Sequence, residues 1–546
     1  MRDPERDSGT PPVHAPDIPR GPGRRRTPPP ARTGGPAAAD PSGPGTGARP
    51  AEPGARRRPP RRPGRPALLA AVAALVTAAA CSAPAGPHRA DGDAPGSGKS
   101  ADRAGRGPSP EGIWRMDGYG TLVAIKGRSL KSYDITAVSC LPGTLTGTRT
   151  GAADAHGSVF TSGDAAPVSV TPEGKDRARL SLADNVGRRV LHRTDALPGR
   201  CRTSPPRDPR AVFDVFWQTY AENYPFFRAK HIDWAAVRDR HRPRVTAKTT
   251  DGELFAVLRE MIEPLHDAHT RLVASEDLWF AGTRPGTVLP TPGSMARTDK
   301  AIAANLGPGV RLRHWAGGKL SYADLPGRIG YFRVTQFAGY TEKGDYAGDV
   351  AELDRALDAV FTKARTHGPA ALRGLIVDLR LNGGGADPLG LRIASRLTDR
   401  PYPAYTKRAR NDPHDPGKFT APQPIRVAPH RGPAYTGPLT VLTGRLTISA
   451  GETFTQALME RTPAPVRIGE NTQGVFSDTL GRTLPNGWSF ALPNEEFLTS
   501  DGRTFDGAGI PPAIRTPVFT EGELTAHRDS ALTRARALLA HRPPGR

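Results

Sequence analysis

Cysteine is nearly absent: three occur among 546 residues, at positions 81, 140 and 201. So few exclude a disulfide-dense scaffold or a cysteine-rich zinc site. Hydrophobic residues reach only 37 % and aromatics 6 %. No apolar run approaches the ~20 residues that span a bilayer as a helix. Acidic residues are outnumbered, 54 against 76 Lys and Arg, for a net charge of +22. The first 66 residues contribute a surplus of eight, from 14 Arg against six acids. The rest is spread without dense basic blocks or interleaved aromatics, which argues against nucleic-acid binding. Metal-ligand spacings are also missing, and no cofactor is expected.

Glycine and proline, by contrast, number 61 and 58. They crowd residues 1–66, where Val13 and Ile18 are the only large aliphatics. Such a segment cannot bury enough apolar surface to offset its ordering entropy and reads as disordered. After it, arginines precede an uncharged apolar run from Ala67 to Ala80, then Cys81. This is the layout of a secretory signal, with a short signal anchor as the competing reading. Ala78–Ala80 before Cys81 resemble a bacterial lipobox, making Cys81 a lipidation candidate and, unless the run stays as a signal anchor, the only expected route to a membrane. The chain is expected to be exported, as a lipoprotein on the outer face of the cell membrane or as a secreted protein. Cys140 and Cys201 then remain as a disulfide candidate in an oxidising compartment, or as two buried thiols.

Residues 67–81 are thus the signal, and 82–112 read as a linker. Short alternating segments such as TLVAIKG, SYDITAV and ARLSL predict a small antiparallel β domain over 113–205. Apolar residues at helical spacing (Val212, Phe213, Phe216, Trp217, Tyr220) predict a helical subdomain over 206–275. A poorly patterned connection follows at 276–325. From 326 to 525 strands alternate with helices, the rhythm of a layered α/β core, and a C-terminal helix or tail closes the chain at 526–546. The expected fold class is therefore multidomain α/β.

Two strand-to-helix junctions carry the chemistry. In GLIVDLRLNGGG a buried strand runs into Asn382 and three glycines before a helix. The turn could stabilise an oxyanion or cradle a phosphate, but it lacks the GK[ST] of a P-loop. In VLTGRLTISAGETF a strand leads to Ser449 at a helix start. That serine could be an ordinary N-cap, or a nucleophile whose developing charge the helix amides favour.

Together these motifs resemble the serine peptidase family of tail-specific proteases, tricorn and the interphotoreceptor retinoid-binding proteins. LHDAHTRL (265–272) and TFDGAGIPP (504–512) are similar to two further family elements, and the resemblance spans roughly 208–520. It implies a crotonase-like ββα core and hydrolysis of polypeptides through a Ser449 acyl-enzyme. The lysine of the tail-specific branch is replaced by Val475, and no lysine follows Lys418. The tricorn branch instead implies His269 as general base and Asp506 as the acid that orients it. His266 and Asp267 are the neighbouring competitors, and Glu452 could help arrange the site. Backbone N–H groups of Gly383 or Gly384 and of Ala450 would hold the oxyanion. Alternatives are an inert binding protein for apolar ligands or peptides on the same fold, and a cell-envelope scaffold. Neither the substrate's identity nor the oligomeric state is specified by these motifs.

Overall fold

The computed structural model describes residues 109–154, 157–476 and 478–541. The N-terminal tail, the signal, Cys81 and all but the end of the linker lie outside them.

The β domain is a closed eight-stranded antiparallel barrel. Its strands are β1 (Gly112–Met116), β2 (Thr121–Lys126), β3 (Ser129–Ile135), β4 (Cys140–Asp154), β5 (Gly157–Thr161), β6 (Val168–Pro172), β7 (Arg177–Leu182) and β8 (Arg189–Thr194). Each pairs with its neighbour in sequence, and β1 closes the ring on β8. Closure removes the exposed sheet edge. Inward-facing residues, among them Trp114, Phe160, Val170, Leu180 and Leu191, are fully buried and fill the interior. Cys140 and Cys201 form a disulfide. It fastens the start of β4 to the turn beyond β8 rather than joining the two ends of the domain.

Three helices follow: α1 (Pro209–Asn223), α2 (Trp234–His241) and α3 (Asp251–Ile262). Asp208 caps α1, and a Thr250–Glu253 capping box opens α3. Their apolar faces join the barrel interior in one core through Phe213, Phe216, Tyr220 and Leu258. Burying each such side chain contributes about 1.5–3 kcal/mol. Short strands β9 (Arg271–Val273) and β10 (Trp279–Ala281) lead to helix α4 (Pro292–Asn305).

The α/β core is built on a seven-stranded mixed sheet. It contains β11 (Arg313–Trp315), β12 (Leu320–Leu325), β13 (Ile329–Val334), β14 (Gly374–Asp378), β17 (Leu439–Thr443), β18 (Val466–Gly469) and β22 (Ile514–Arg515), adjacent in that order. Pairings from β13 to β22 are parallel. The sheet therefore begins about a dozen residues before the expected boundary at 326. β15 (Tyr402–Ala409), β16 (Gln423–Val427) and β21 (Glu495–Leu498) form a separate three-stranded sheet, while β19 (Thr479–Thr483) and β20 (Ser489–Pro493) join β9 and β10.

Helices α5 (Tyr346–Val360), α6 (Asp387–Ser395) and α7 (Ala450–Met459) pack in one core with the buried strand residues Phe332, Val377 and Val441. The C-terminal helix α8 (Ser530–Ala540) is no loose tail. Its Ala531, Leu532, Ala535 and Leu539 pack with Tyr331, Ile376 and Leu442. Arg380, 1 % exposed, binds Asp378 and Asp529 and ties this helix to the end of β14. Among the described residues no helix is long and apolar enough to cross a membrane.

Candidate active site

β17 is buried along its whole length and delivers the chain to Gly444 at the edge of the core. There the backbone turns sharply. Thr447 Oγ1 donates to Leu379 O at 2.7 Å, and Ile448 N donates to Asn382 O at 2.9 Å. Ser449, which follows, has φ 56° and ψ −121°. This is not the β-region geometry of an ordinary N-cap. A non-glycine residue there costs about 1–3 kcal/mol and persists only where its surroundings fix it.

Those surroundings are explicit. Ser449 N lies 3.1 Å from Val475 O and 3.2 Å from Glu452 Oε2. Glu452 is fully buried and also accepts from Gly474 N at 2.6 Å and Val475 N at 2.9 Å. One carboxylate thus clamps the serine to the 474–475 segment. Burial pushes its carboxyl up to about 7, against the hydrogen bonds it accepts. The position where the tail-specific branch has lysine holds Val475, whose backbone N–H and C=O serve this clamp.

Against the serine lies the glycine turn. Asn382, wholly buried, donates through Nδ2 to Val334 O and accepts from Gly384 N, both at 2.9 Å. A Cβ on Gly384, at φ 89°, would meet Ser449 Cβ at 2.7 Å. One on Gly385, at φ 131°, would meet Phe337 O at 2.2 Å. Glycine is required at both. Of the expected oxyanion donors, Gly383 N already donates to Thr335 O at 3.0 Å and Gly384 N to Asn382 Oδ1. Among the described residues, the amides of Gly385 and Ala450 donate to no group.

His269 is half-buried, in the turn between α3 and β9, and its backbone N–H donates to Asp267 Oδ1 at 2.9 Å. Asp267 is buried, accepts from Tyr224 Oη at 2.8 Å, and lies 4.0 Å from Lys230 Nζ. It therefore organises the turn that presents His269. His266 is exposed, with a left-handed φ of 48°. Asp506 accepts from Thr504 Oγ1 at 2.6 Å and from Phe476 N at 3.2 Å. Burial holds its carboxyl well above the ordinary range, with Asp267 and Glu452 adding repulsion. The segment 474–476 thus touches both Ser449 and Asp506, and the charge of Asp267, in the turn carrying His269, acts on Asp506.

Asn382 and Glu452 are the positioning residues whose roles the sequence leaves open. The Asn-Gly-Gly-Gly run and the Glu three residues after Ser449 were their only signals. No group of three or more potential metal ligands occurs among the described residues.

Residues 328–516 match the Peptidase family S41 model, and 205–263 match the Tricorn protease C1 domain. The core belongs to peptidase family S41. This is a serine peptidase family, and its members are hydrolases. The chain is similar in structure to a putative peptidase from Parabacteroides merdae, at 24 % identity and TM-score 0.49, over 61 % of this chain and 97 % of that one. Similarity to the tricorn protease covers 77 % of this chain and 45 % of that one, at 14 % identity and TM-score 0.38. The photosystem II D1 C-terminal processing protease matches at 16 % identity and TM-score 0.35, over 59 % and 98 %. No curated protein matches the chain.

Proposed function

We propose that this protein is an exported serine peptidase that cleaves polypeptides through a Ser449 acyl-enzyme. The observation that carries the reading is the conformation of Ser449, strained at φ 56° and pressed against Gly384 at a strand-to-helix elbow. A serine serving only as a helix cap needs no such geometry.

In this reading His269 takes the Ser449 proton as the hydroxyl oxygen attacks the scissile carbonyl. The imidazolium then protonates the leaving amine, and a water activated by His269 releases the acyl group. Asp506 is the acid that orients the imidazole. The oxyanion forms against the Ala450 amide and an amide of the glycine turn, where Gly383 N and Gly384 N are engaged and Gly385 N donates to no group among the described residues. Loss of one such donor typically costs about 10²–10³ in rate. Export, and anchoring through lipid on Cys81, rest on the signal-like sequence, and the Cys140–Cys201 disulfide supports export.

Neither the barrel interior nor the cleft near the site favours an inert carrier of apolar ligands. The barrel is filled by side chains, and the large cleft near the site is lined by arginines. The test is covalent labelling by a fluorophosphonate. Labelling of the wild-type protein that disappears in Ser449→Ala supports the peptidase. Absence of labelling in an intact, folded wild type would leave the carrier as the better account.

A further inference from the structure

A cleft lies next to the loop between β17 and Ser449 and the segment that follows β18. Its volume is about 700 Å³, and its lining includes Arg284, Arg445, Arg515, Glu470 and Asn471. Arg445 belongs to the loop between β17 and Ser449. Glu470 and Asn471 open the segment whose Gln473 N donates to Thr447 O at 3.0 Å and whose next residues clamp Glu452. Two of the segments that line the cleft therefore run on into the serine elbow and its clamp.

Three guanidinium groups face a single carboxylate here. Arg445 Nε approaches Glu470 Oε2 at 3.5 Å, too far for a close charge-assisted hydrogen bond. Arg515 donates to a neutral group, Asn471 Oδ1, at 2.8 Å. Arg284 donates to the carbonyls of Ala508 and Asn471, and its Nε meets no acceptor among the described residues. Burial lowers the Arg284 pKa, and the like charge of Arg445 lowers it further. Held by two carbonyls, Arg284 presents its charge with little rotamer entropy left to lose. An anion entering the cleft would relieve the repulsion and meet forks matched to carboxylate geometry.

We infer that this cleft is a subsite for the Asp or Glu side chains of an acidic polypeptide substrate. The inference rests on the peptidase reading for the identity of its ligand as a substrate. Arg445, which also donates to Pro285 O at 3.1 Å, and Arg515 are its exposed forks, and Arg284 is its half-buried one.

The test uses the Ser449→Ala protein, so that bound peptide is not cleaved, and three fluorescein-labelled octapeptides. One alternates Glu with Ala, one replaces every Glu by Gln, and one is the Glu peptide with an amidated C-terminus. Fluorescence anisotropy should show the Glu peptide binding at least about tenfold tighter than its Gln counterpart, with the difference shrinking as salt rises. Arg445→Gln and Arg515→Gln, both at exposed side chains, should each remove most of that preference, and amidation should change little. Equal affinity for Glu and Gln peptides would overturn the subsite. So would a preference that survives in both variants, or binding that depends on the terminal carboxylate alone. Fluorophosphonate labelling of the protein with Ser449 intact is measured in parallel. Its failure would count against the peptidase, while peptide affinity alone decides the cleft.

Discussion

Gly384 and Ser449 approach so closely that a Cβ on the glycine would stand 2.7 Å from the Cβ of the serine. The glycine turn after β14 and the elbow after β17 are therefore one structure. Asn382 completes it, holding Gly384 through its side chain and Ile448 through its carbonyl. The strain at Ser449 persists because these contacts and the Glu452 clamp leave the chain no alternative course.

Gly384→Ala should therefore inactivate the protein while leaving it folded. Moving the elbow by about 1 Å typically costs about 10² in rate. Hydrolysis rate and circular dichroism, measured together, check this. Full activity in a folded Gly384→Ala protein would show that the two loops need not touch.

Glu452 gives stability a pH dependence of defined sign. Its folded-state value of about 7 stands above the ordinary 4.5, so between these limits the folded protein holds a proton that the unfolded chain has released. Stability should fall as pH rises through that window. Glu452→Gln should flatten this slope in urea titrations, and its amide group, facing backbone donors, should also slow fluorophosphonate labelling of Ser449. Asp387, raised to about 7 by burial and then by Asp478, keeps a slope of its own. An unchanged pH profile in Glu452→Gln would contradict the assignment.

Lys407 joins the barrel side to the core. It is buried, with Asp478 Oδ2 at 3.0 Å, Glu495 Oε1 at 3.1 Å and Asn185 Oδ1 at 3.3 Å. Lys407→Met leaves two carboxylates buried without this cation, and should cost about 3–5 kcal/mol. Adding Glu495→Gln should recover part of the loss. Chemical denaturation of the single and double variants measures both. A loss under about 1 kcal/mol would mean the cluster is solvated rather than sealed.

The Cys140–Cys201 bridge closes a loop with a sequence separation of 61. By chain entropy alone it should stabilise the folded state by about 4 kcal/mol. Reductant should lower the denaturation midpoint of the wild type and leave a Cys140→Ser, Cys201→Ser variant unmoved. Equal midpoints with and without reductant would contradict a closed bridge.

Much of this was legible where residue type and local geometry coincide. The alternating 113–205 segments announced antiparallel strands, but closure into a barrel depends on β1 meeting β8, a pairing no local pattern encodes. Helix α4 was hidden because only Thr298 and Ile302 are buried on it. Its start is fixed by Thr291, Pro292 and Ser294, which read as loop residues. Strands β11 and β12 fell in the same Gly/Pro-rich stretch. The strand-to-helix elbow at Ser449 was visible through its motif, whereas the engaged amides of Gly383 and Gly384 were not. Which donors remain unspent depends on Thr335 and on the Asn382 side chain, set by tertiary packing. The arginine cleft was likewise unreadable, because its three cations come from segments far apart in sequence.

Casein and mixed-peptide hydrolysis by the mature chain, compared with Ser449→Ala, tests the central claim most directly. The account predicts turnover by the wild type, none by Ser449→Ala, and strong losses in His269→Ala and Asp506→Ala. Hydrolysis that persists undiminished in a pure Ser449→Ala preparation would contradict it, because no nucleophile other than this serine is proposed to carry the reaction.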